Sequence, residues 1–379
     1  MLNKYIFPSV IFVVIIILLF ILKSTVFNKD RISDSDLVKV ELSDKQILKS
    51  KEIQKYFEHK SKVNGFNGNV LFAENGNIIY ENSFGYADIN SKSKNDLNTK
   101  FQIASVSKPF TAYAIMLLKQ RNELTLEDSV QQYFPDFPYK GITIKLLLIH
   151  KSGLPEYFYF AEKLWDDKNT PITNTDVIDL MIEKFPNRYF LPDKKYNYIN
   201  TNYCILAAII EKISGDNFEE FMHEEIFEPL KMNNTFIYNP NKVDEFENIA
   251  IGYEREKIKA QNTFLNGVVG DKGVYTTVED LLKFDKALYN GDPVESEILN
   301  EVFQPAHEKL FINDNYGYGW RINAQDSTNK IVYHTGWWKG FRSYFIRELG
   351  NKRTIIILSN LSNKAKFGTK ELIELFNKP

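Results

Sequence analysis

A single cysteine, Cys204, stands in the 379-residue chain, so no disulfide can close within it. It precedes the apolar run Ile205-Leu206-Ala207-Ala208-Ile209-Ile210 and reads as a small buried hydrophobe rather than a nucleophile. An excess of charge of either sign is also missing. Lys and Arg total 47 against 49 Asp and Glu, a formal net charge of -2, which leaves no electrostatic footprint for nucleic acid or an acidic polymer. There is no His-Glu-x-x-His zinc helix and no Gly-x-Ser-x-Gly nucleophile elbow. His59, His150, His223 and His307 are scattered without ligand-like spacing. The sequence therefore calls for no metal, no organic cofactor and no nucleic-acid partner. With 44% hydrophobic and 25% charged residues, the composition is that of an ordinary globular protein, long enough for one large or two medium domains.

Long apolar runs are scarce too, with one exception at the amino end. From Tyr5 to Leu22 only Pro8 and Ser9 interrupt an apolar stretch flanked by Lys4 and Lys23. Eighteen residues rising ~1.5 Å each span about 27 Å, just enough for a hydrocarbon core. No small-x-small cleavage site stands out, and no cysteine is available for lipidation. Residues 1–27 read as an uncleaved membrane anchor, with a cleaved signal as the alternative. The balanced flanking charges do not set its orientation. A polar linker over 28–43 and a single domain over 44–379 follow. Either form of the amino end puts that domain outside the cytoplasm, with the membrane as a partner through the anchor.

The chain then alternates between recognisable signals. Ser43 or Asp44 caps an expected helix with Ile47, Leu48, Ile53 and Phe57 on one face. Asn75-Gly76 between Asn69–Glu74 and Asn77–Glu81 is the strongest short-range signal for a β-hairpin. Leu124 to Tyr253 reads as helices and loops, without internal repeat or low-complexity tract. It includes helices over Ile144–Ile149, Asn202–Ile213 and Asn217–Phe227, and a turn at His150-Lys151-Ser152-Gly153-Leu154-Pro155. Strands return at Ile331–His334, Phe341–Arg347 and Thr354–Leu358, before a last helix at Lys370–Phe376. The expected fold is α/β (α+β): an antiparallel sheet built from both chain ends and flanked by helices, with a mainly helical region inserted between its halves.

Three short patterns carry chemistry. Ser105 and Lys108, three residues apart, share one helix face and put an amine within reach of a hydroxyl. Ser-x-x-Lys also occurs at Ser91/Lys94 and Ser327/Lys330, so the spacing alone is weak. What sets Ser105 apart is the apolar run Phe110-Thr111-Ala112-Tyr113-Ala114-Ile115-Met116-Leu117-Leu118, which makes a rigid buried helix behind it. Tyr198 and Asn200 precede the helix expected from Asn202; capping that helix is their simplest role. His334-Thr335-Gly336 ends a strand and is followed by Trp337 and Trp338, which either line a cleft or cover the sheet.

In this order and at these separations the three boxes resemble those of the serine hydrolases that include class C β-lactamases, D-Ala-D-Ala peptidases and related esterases. The likeness extends to Leu147–Pro155, Pro229–Thr235 and Gly270–Thr277, and covers roughly Gly65 to Leu361. The resemblance implies the β-lactamase/transpeptidase-like fold and an acyl-enzyme at Ser105. Lys108 and Tyr198 have ordinary pKa values near 10, so either must be tuned to act as base; the sequence leaves open which one does. Asn200 would bond Lys108 and a substrate amide. His334, where many relatives carry Lys, would lie on the sheet edge and assist proton transfer or, if protonated, attract a carboxylate. Thr335, Gly336 and Trp337 would flank the substrate, with the backbone N–H groups of Ser105 and Trp337 as the oxyanion hole.

Departures shape the expected substrate. Pro192-Asp193 replaces the Pro-Gly frequent before the Tyr box, so the approach loop is expected to differ. His334 argues against an efficient β-lactamase, and Asn200 argues against the esterase branch. A peptide-like carbonyl, favoured as a D-amino-acid or cell-wall peptide, is the leading expectation, with a small ester next. The competing reading is a catalytically idle, penicillin-binding-like domain that holds cell-wall peptide or a partner protein. Oligomeric state is not legible.

Overall fold

A computed structural model describes residues 41–378 apart from 243–244, 255–257, 307–314 and 325–327. The expected anchor or signal over 1–27 and most of the expected linker lie outside the described residues. Among the described residues no helix is long and apolar enough to cross a membrane.

The sheet is antiparallel and joins both ends of the chain, as expected. Strands β1 (Gly68–Glu74) and β2 (Asn77–Phe84) form the predicted hairpin, with Asn75 and Gly76 both at positive φ in its turn. β1 then pairs with the last strand of the chain, Arg353–Ser359, in the register Val70↔Ile357. The sheet has seven strands. Beyond that last strand come Phe341–Glu348, Ile331–Trp338, Arg321–Asn323 and Asn315–Tyr316.

The two faces of this sheet are built differently. On the outer face, Val70, Phe72, Tyr344, Ile346, Ile355 and Ile357 form one core with Ile53 and Phe57 of helix α1 (Asp44–Asn64) and with Leu372 and Phe376 of the final helix, Thr369–Asn377. Ser43 caps α1 with a full capping box. The expected apolar face of α1 is corrected in its first turns, where Ile47 and Leu48 are exposed and Lys49 is buried. Positions 49, 53 and 57 form the buried stripe, spaced four apart. Lys49 joins it with its ammonium 4.9 Å from the Phe376 ring centroid and 3.4 Å from Glu74.

Alternate residues of the same strands, including Leu71, Phe345, Ile356 and Leu358, are buried on the inner face. There the helix Val278–Asn290 packs on the hairpin and the last strand. Its Asp285 bonds Arg347 at 2.5 Å and Thr354 at 2.7 Å, which are register partners. Both ionic side chains are fully buried. The inserted region lies between hairpin and C-terminal strands in sequence. It contains the helices Ser107–Gln120, Ile144–Leu148, Tyr157–Leu164 and Thr201–Ser214. The expected helix over 217–227 starts at Phe218 and widens into a π-helical turn from His223 to Phe227.

Candidate active site

Ser105 sits in a 3-10 turn, Ala104–Val106, that runs directly into the helix Ser107–Gln120. Every other residue from Phe101 to Leu118 is buried, while Ser105 is half-buried. The turn is bolted to the sheet. Ser343 donates its hydroxyl to the Ile103 carbonyl at 2.6 Å, and the Ile103 N–H reaches Val274 O at 3.0 Å. Opposite Ser343 stands Gly336, where a Cβ would fall 2.1 Å from Ile103 O and 3.1 Å from Ala104 Cβ. Only glycine lets the strand come this close. Ala104 takes a φ of +49°, a left-handed conformation unusual for a residue with a side chain and typical of strained functional turns.

Lys108 is completely buried. Its Nζ lies 3.2 Å from Ser105 Oγ, 2.8 Å from Asn200 Oδ1 and 2.9 Å from the Asp271 carbonyl oxygen. As an ammonium it donates to all three. As a neutral amine it keeps two N–H bonds and turns a lone pair toward the serine hydroxyl. Burial pulls its pKa down to about 8, against the opposing pull of Asp271 and Glu156.

Asn200 is the residue before the helix Thr201–Ser214, yet its side chain caps nothing. Its Oδ1 faces Lys108, and its Nδ2 and backbone N–H both donate to Glu156 Oε2, at 3.0 and 2.9 Å. That fixes which way the amide points. Glu156 is itself buried, and desolvation raises its pKa. Tyr198 stacks beside His150, with ring centroids 4.4 Å apart, and has Lys108 Nζ 4.9 Å from its own centroid. Its hydroxyl is buried and makes no well-formed hydrogen bond among the described residues. Burial raises the pKa of this phenol, and the neighbouring Ser105 only partly offsets that. Of the two candidate bases, burial favours the neutral amine of Lys108, which can accept a proton, and the neutral phenol of Tyr198, which cannot.

The strand carrying His334, Thr335, Gly336 and Trp337 runs on to Trp338 instead of ending at His334. Along this strand Arg321–Asn323 pairs with Ile331–Tyr333 and no further, so among the described residues 334–338 form an open edge on that side. His334 lies on this edge but buried, at 1% exposure. Its Nδ1 faces the Thr335 carbonyl at 2.9 Å and therefore carries the proton, leaving Nε2 to accept from Tyr316 OH at 3.0 Å. Desolvation, with Arg321 and Lys108 nearby, drives its pKa well below the usual histidine value. Of the two roles expected for His334, this burial disfavours the protonated one that attracts a carboxylate.

A further cation at this site is Arg321, which no sequence motif marks. Its guanidinium lies 5.2 Å from the Tyr198 ring centroid, and its charge is felt by Lys108, His150 and His334. Thr335 and Trp337 alternate to the other side of the strand from His334 and Gly336; Trp337 is 64% exposed. Trp338 stacks on Phe158 at 5.3 Å and donates to Asn266 Oδ1 at 3.2 Å.

Other residues of the family-like loops take supporting places. His150, at a φ of +56°, accepts on Nδ1 from the Ile199 N–H and from Asn202 Nδ2. It braces the Tyr box. Asp193 adopts a φ of +62° and pairs with Lys151 at 2.8 Å, so the loop keeps the backbone that a glycine would favour. Cys204 is buried and free. Among the described residues no group of His, Cys, Asp or Glu is arranged to hold a metal.

A serine and a buried lysine at the start of a helix, a Tyr-x-Asn loop before a second helix and the open edge of a strand in an antiparallel sheet define the β-lactamase and penicillin-binding-protein class. The chain belongs to the Beta-lactamase family, which matches residues 53–377. It is 36% identical over 335 residues to "Penicillin-binding protein 4*" of Bacillus subtilis (strain 168), covering 84% of this chain and 73% of that protein. An octameric penicillin-binding protein homologue from Pyrococcus abyssi superposes with a TM-score of 0.72 at 26% identity, over 82% of this chain and 73% of that one. A class C beta-lactamase shares the fold at a TM-score of 0.72 and 17% identity, over 88% and 96% of the two chains.

Proposed function

We propose that this protein is an exported serine hydrolase that forms an acyl-enzyme at Ser105. The observation that carries the reading is the 3.2 Å approach of a fully buried Lys108 to the serine hydroxyl. Ser105 Oγ attacks a carbonyl carbon and its proton passes to the Lys108 amine. The oxyanion is received by the backbone N–H groups of Ser105 and Trp337, which Gly336 brings together by letting the strand touch the nucleophile turn. Tyr198 keeps its proton and stands over the nucleophile, so it hands that proton to the leaving group and is recharged by Lys108. The acyl group leaves Ser105 on attack by water.

The favoured substrate is a short peptide ending in a free carboxylate, of the D-amino-acid or cell-wall type, with a small ester next. An extended peptide matches the open strand edge at 334–338, and Arg321 supplies the positive charge that the neutral His334 lacks. Export rests on the apolar stretch Tyr5–Leu22.

Intact-mass spectrometry of the full chain, incubated separately with a penicillin, a D-Ala-D-Ala peptide and a nitrophenyl ester, tests the reading, with product formation followed in parallel. An adduct or turnover that vanishes in Ser105→Ala is the expected result, and the donor that gives it names the branch. Ligand binding with neither adduct nor turnover would instead establish an idle binding domain.

A further inference from the structure

A second lysine is buried next to the catalytic cluster. Lys272 is 3% exposed, and its Nζ reaches Tyr157 OH at 2.5 Å, Val268 O at 3.0 Å and Asp271 Oδ1 at 3.5 Å. Tyr157 in turn donates to Asp271 Oδ2 at 3.1 Å. The Asp271 carboxylate, 1% exposed, thus sits between a phenol and an ammonium. The same residue grips the catalytic lysine, because its carbonyl oxygen accepts from Lys108 at 2.9 Å. One residue earlier, Gly270 accepts from Thr111 at 2.7 Å. There a φ of +91° and the Tyr203 carbonyl 2.5 Å from any Cβ leave room only for glycine. Residues 270–272 are therefore locked to the nucleophile helix at positions 108 and 111. Lys272 lies about the rings of Tyr157, Phe158 and Trp338, at 5.2, 5.7 and 5.3 Å from their centroids.

A buried Lys272–Asp271 pair is a poor device for stability, since apolar side chains of similar volume in place of both would fill the space without desolvating two charges. We propose that Lys272 is a positioning residue for the serine's base: as counter-ion to Asp271, it stops that buried carboxylate from trapping Lys108 in its protonated form. The inference rests on the acyl-serine reading above. Lys108 is faced by Tyr198, Tyr203 and Asn200 around the helix Thr201–Ser214, and by Glu156 and Asp271, whose charges favour its ammonium. Arg321 opposes the ammonium. Lys108 also interacts with Lys272, with neutral His150 and with neutral His334. Removing Lys272 deletes a like charge and leaves Asp271 unpaired, and both changes favour protonated Lys108. Removing the Asp271 charge does the reverse.

The test is the rate at which a fluorophosphonate labels Ser105 in the full chain between pH 5.5 and 10. In that step Oγ bonds to phosphorus, fluoride leaves and the hydroxyl proton goes to the Lys108 amine, so no natural substrate is needed. In Lys272→Met the acid limb of the profile is expected to move up by about one pH unit, making labelling at pH 7 about tenfold slower with the alkaline plateau retained. Asp271→Asn is expected to move the limb down, and the double variant to return it to within about half a unit of the parent. A folded Lys272→Met protein with an unmoved limb, whether slower at every pH or unchanged, overturns the proposal. If that variant does not fold, an unmoved limb in Asp271→Asn overturns it instead. Undiminished labelling of Ser105→Ala is a different failure, that of the acyl-serine reading itself.

Discussion

The outer face of the central sheet buries Phe57, Phe66, Phe72 and Phe376 with their rings tilted or edge to face against one another, closed by the helices Asp44–Asn64 and Thr369–Asn377. The inner face buries Lys108, Lys272, Asp271, Glu156, His334 and the Arg347–Asp285 pair within the same molecule. The first arrangement maximises apolar burial with side chains that need no partners. The second keeps ionisable groups dry, which is costly for folding and is what shifts a lysine to about 8. Stability and reactivity are therefore drawn from opposite sides of one sheet, and strands 341–348 and 353–359 belong to both.

That division is broken or sharpened by single substitutions. Ser105→Ala is expected to cut fluorophosphonate labelling and any turnover by roughly 10⁴-fold or more, with the thermal midpoint unmoved. Phe57→Ala is expected to do the opposite. Its loss costs about 3–5 kcal/mol in chemical denaturation, while the labelling rate per folded molecule stays at the parent value. Gly336→Ala touches both sides of the account, because its methyl meets Ile103 O. A loss of about 1–3 kcal/mol of stability together with a fall in labelling is expected, and equal labelling would detach the strand from the oxyanion. Smallest is Arg321→Ala. For a peptide with a free carboxylate, KM should rise about tenfold, while a neutral ester is processed as before; equal effects on both would remove Arg321 from substrate binding.

The boxes were legible because chemistry requires fixed residue types at fixed local spacing. Ser105 and Lys108 meet through one helical turn, and Asn75-Gly76 dictates its own hairpin. Asn200 and Lys108 could be placed together only through resemblance, being 92 residues apart. Glu156 left a faint signal, since an acid directly after a family-like loop is buried only if it has donors to accept from. Asp271 was hidden for a different reason. It holds Lys108 with a backbone carbonyl, which any residue type supplies. Arg321 and Tyr316 reach the site through pairing of short strands across the sheet edge, and nothing local marks them. The burial of Lys49 in place of Ile47 and Leu48 was missed because a hydrophobicity count treats lysine as a surface residue, whereas its ammonium finds both Glu74 and the Phe376 ring here. His334 read as a possible cation, and its burial beneath Tyr316 shows why pattern alone does not give a charge state.

The most direct test of the account is the pH dependence of Ser105 labelling in the unmodified full chain. If the inner face exists to hold a lysine amine beside the serine, the rate must rise with pH through a single midpoint near 8, as Lys108 loses its proton. Lys108→Met must abolish that rise along with most of the rate. A midpoint near 10 or above would mean that Lys108 keeps the proton affinity of a solvated lysine. A profile unchanged in Lys108→Met would mean that another group takes the proton, and either result contradicts the account.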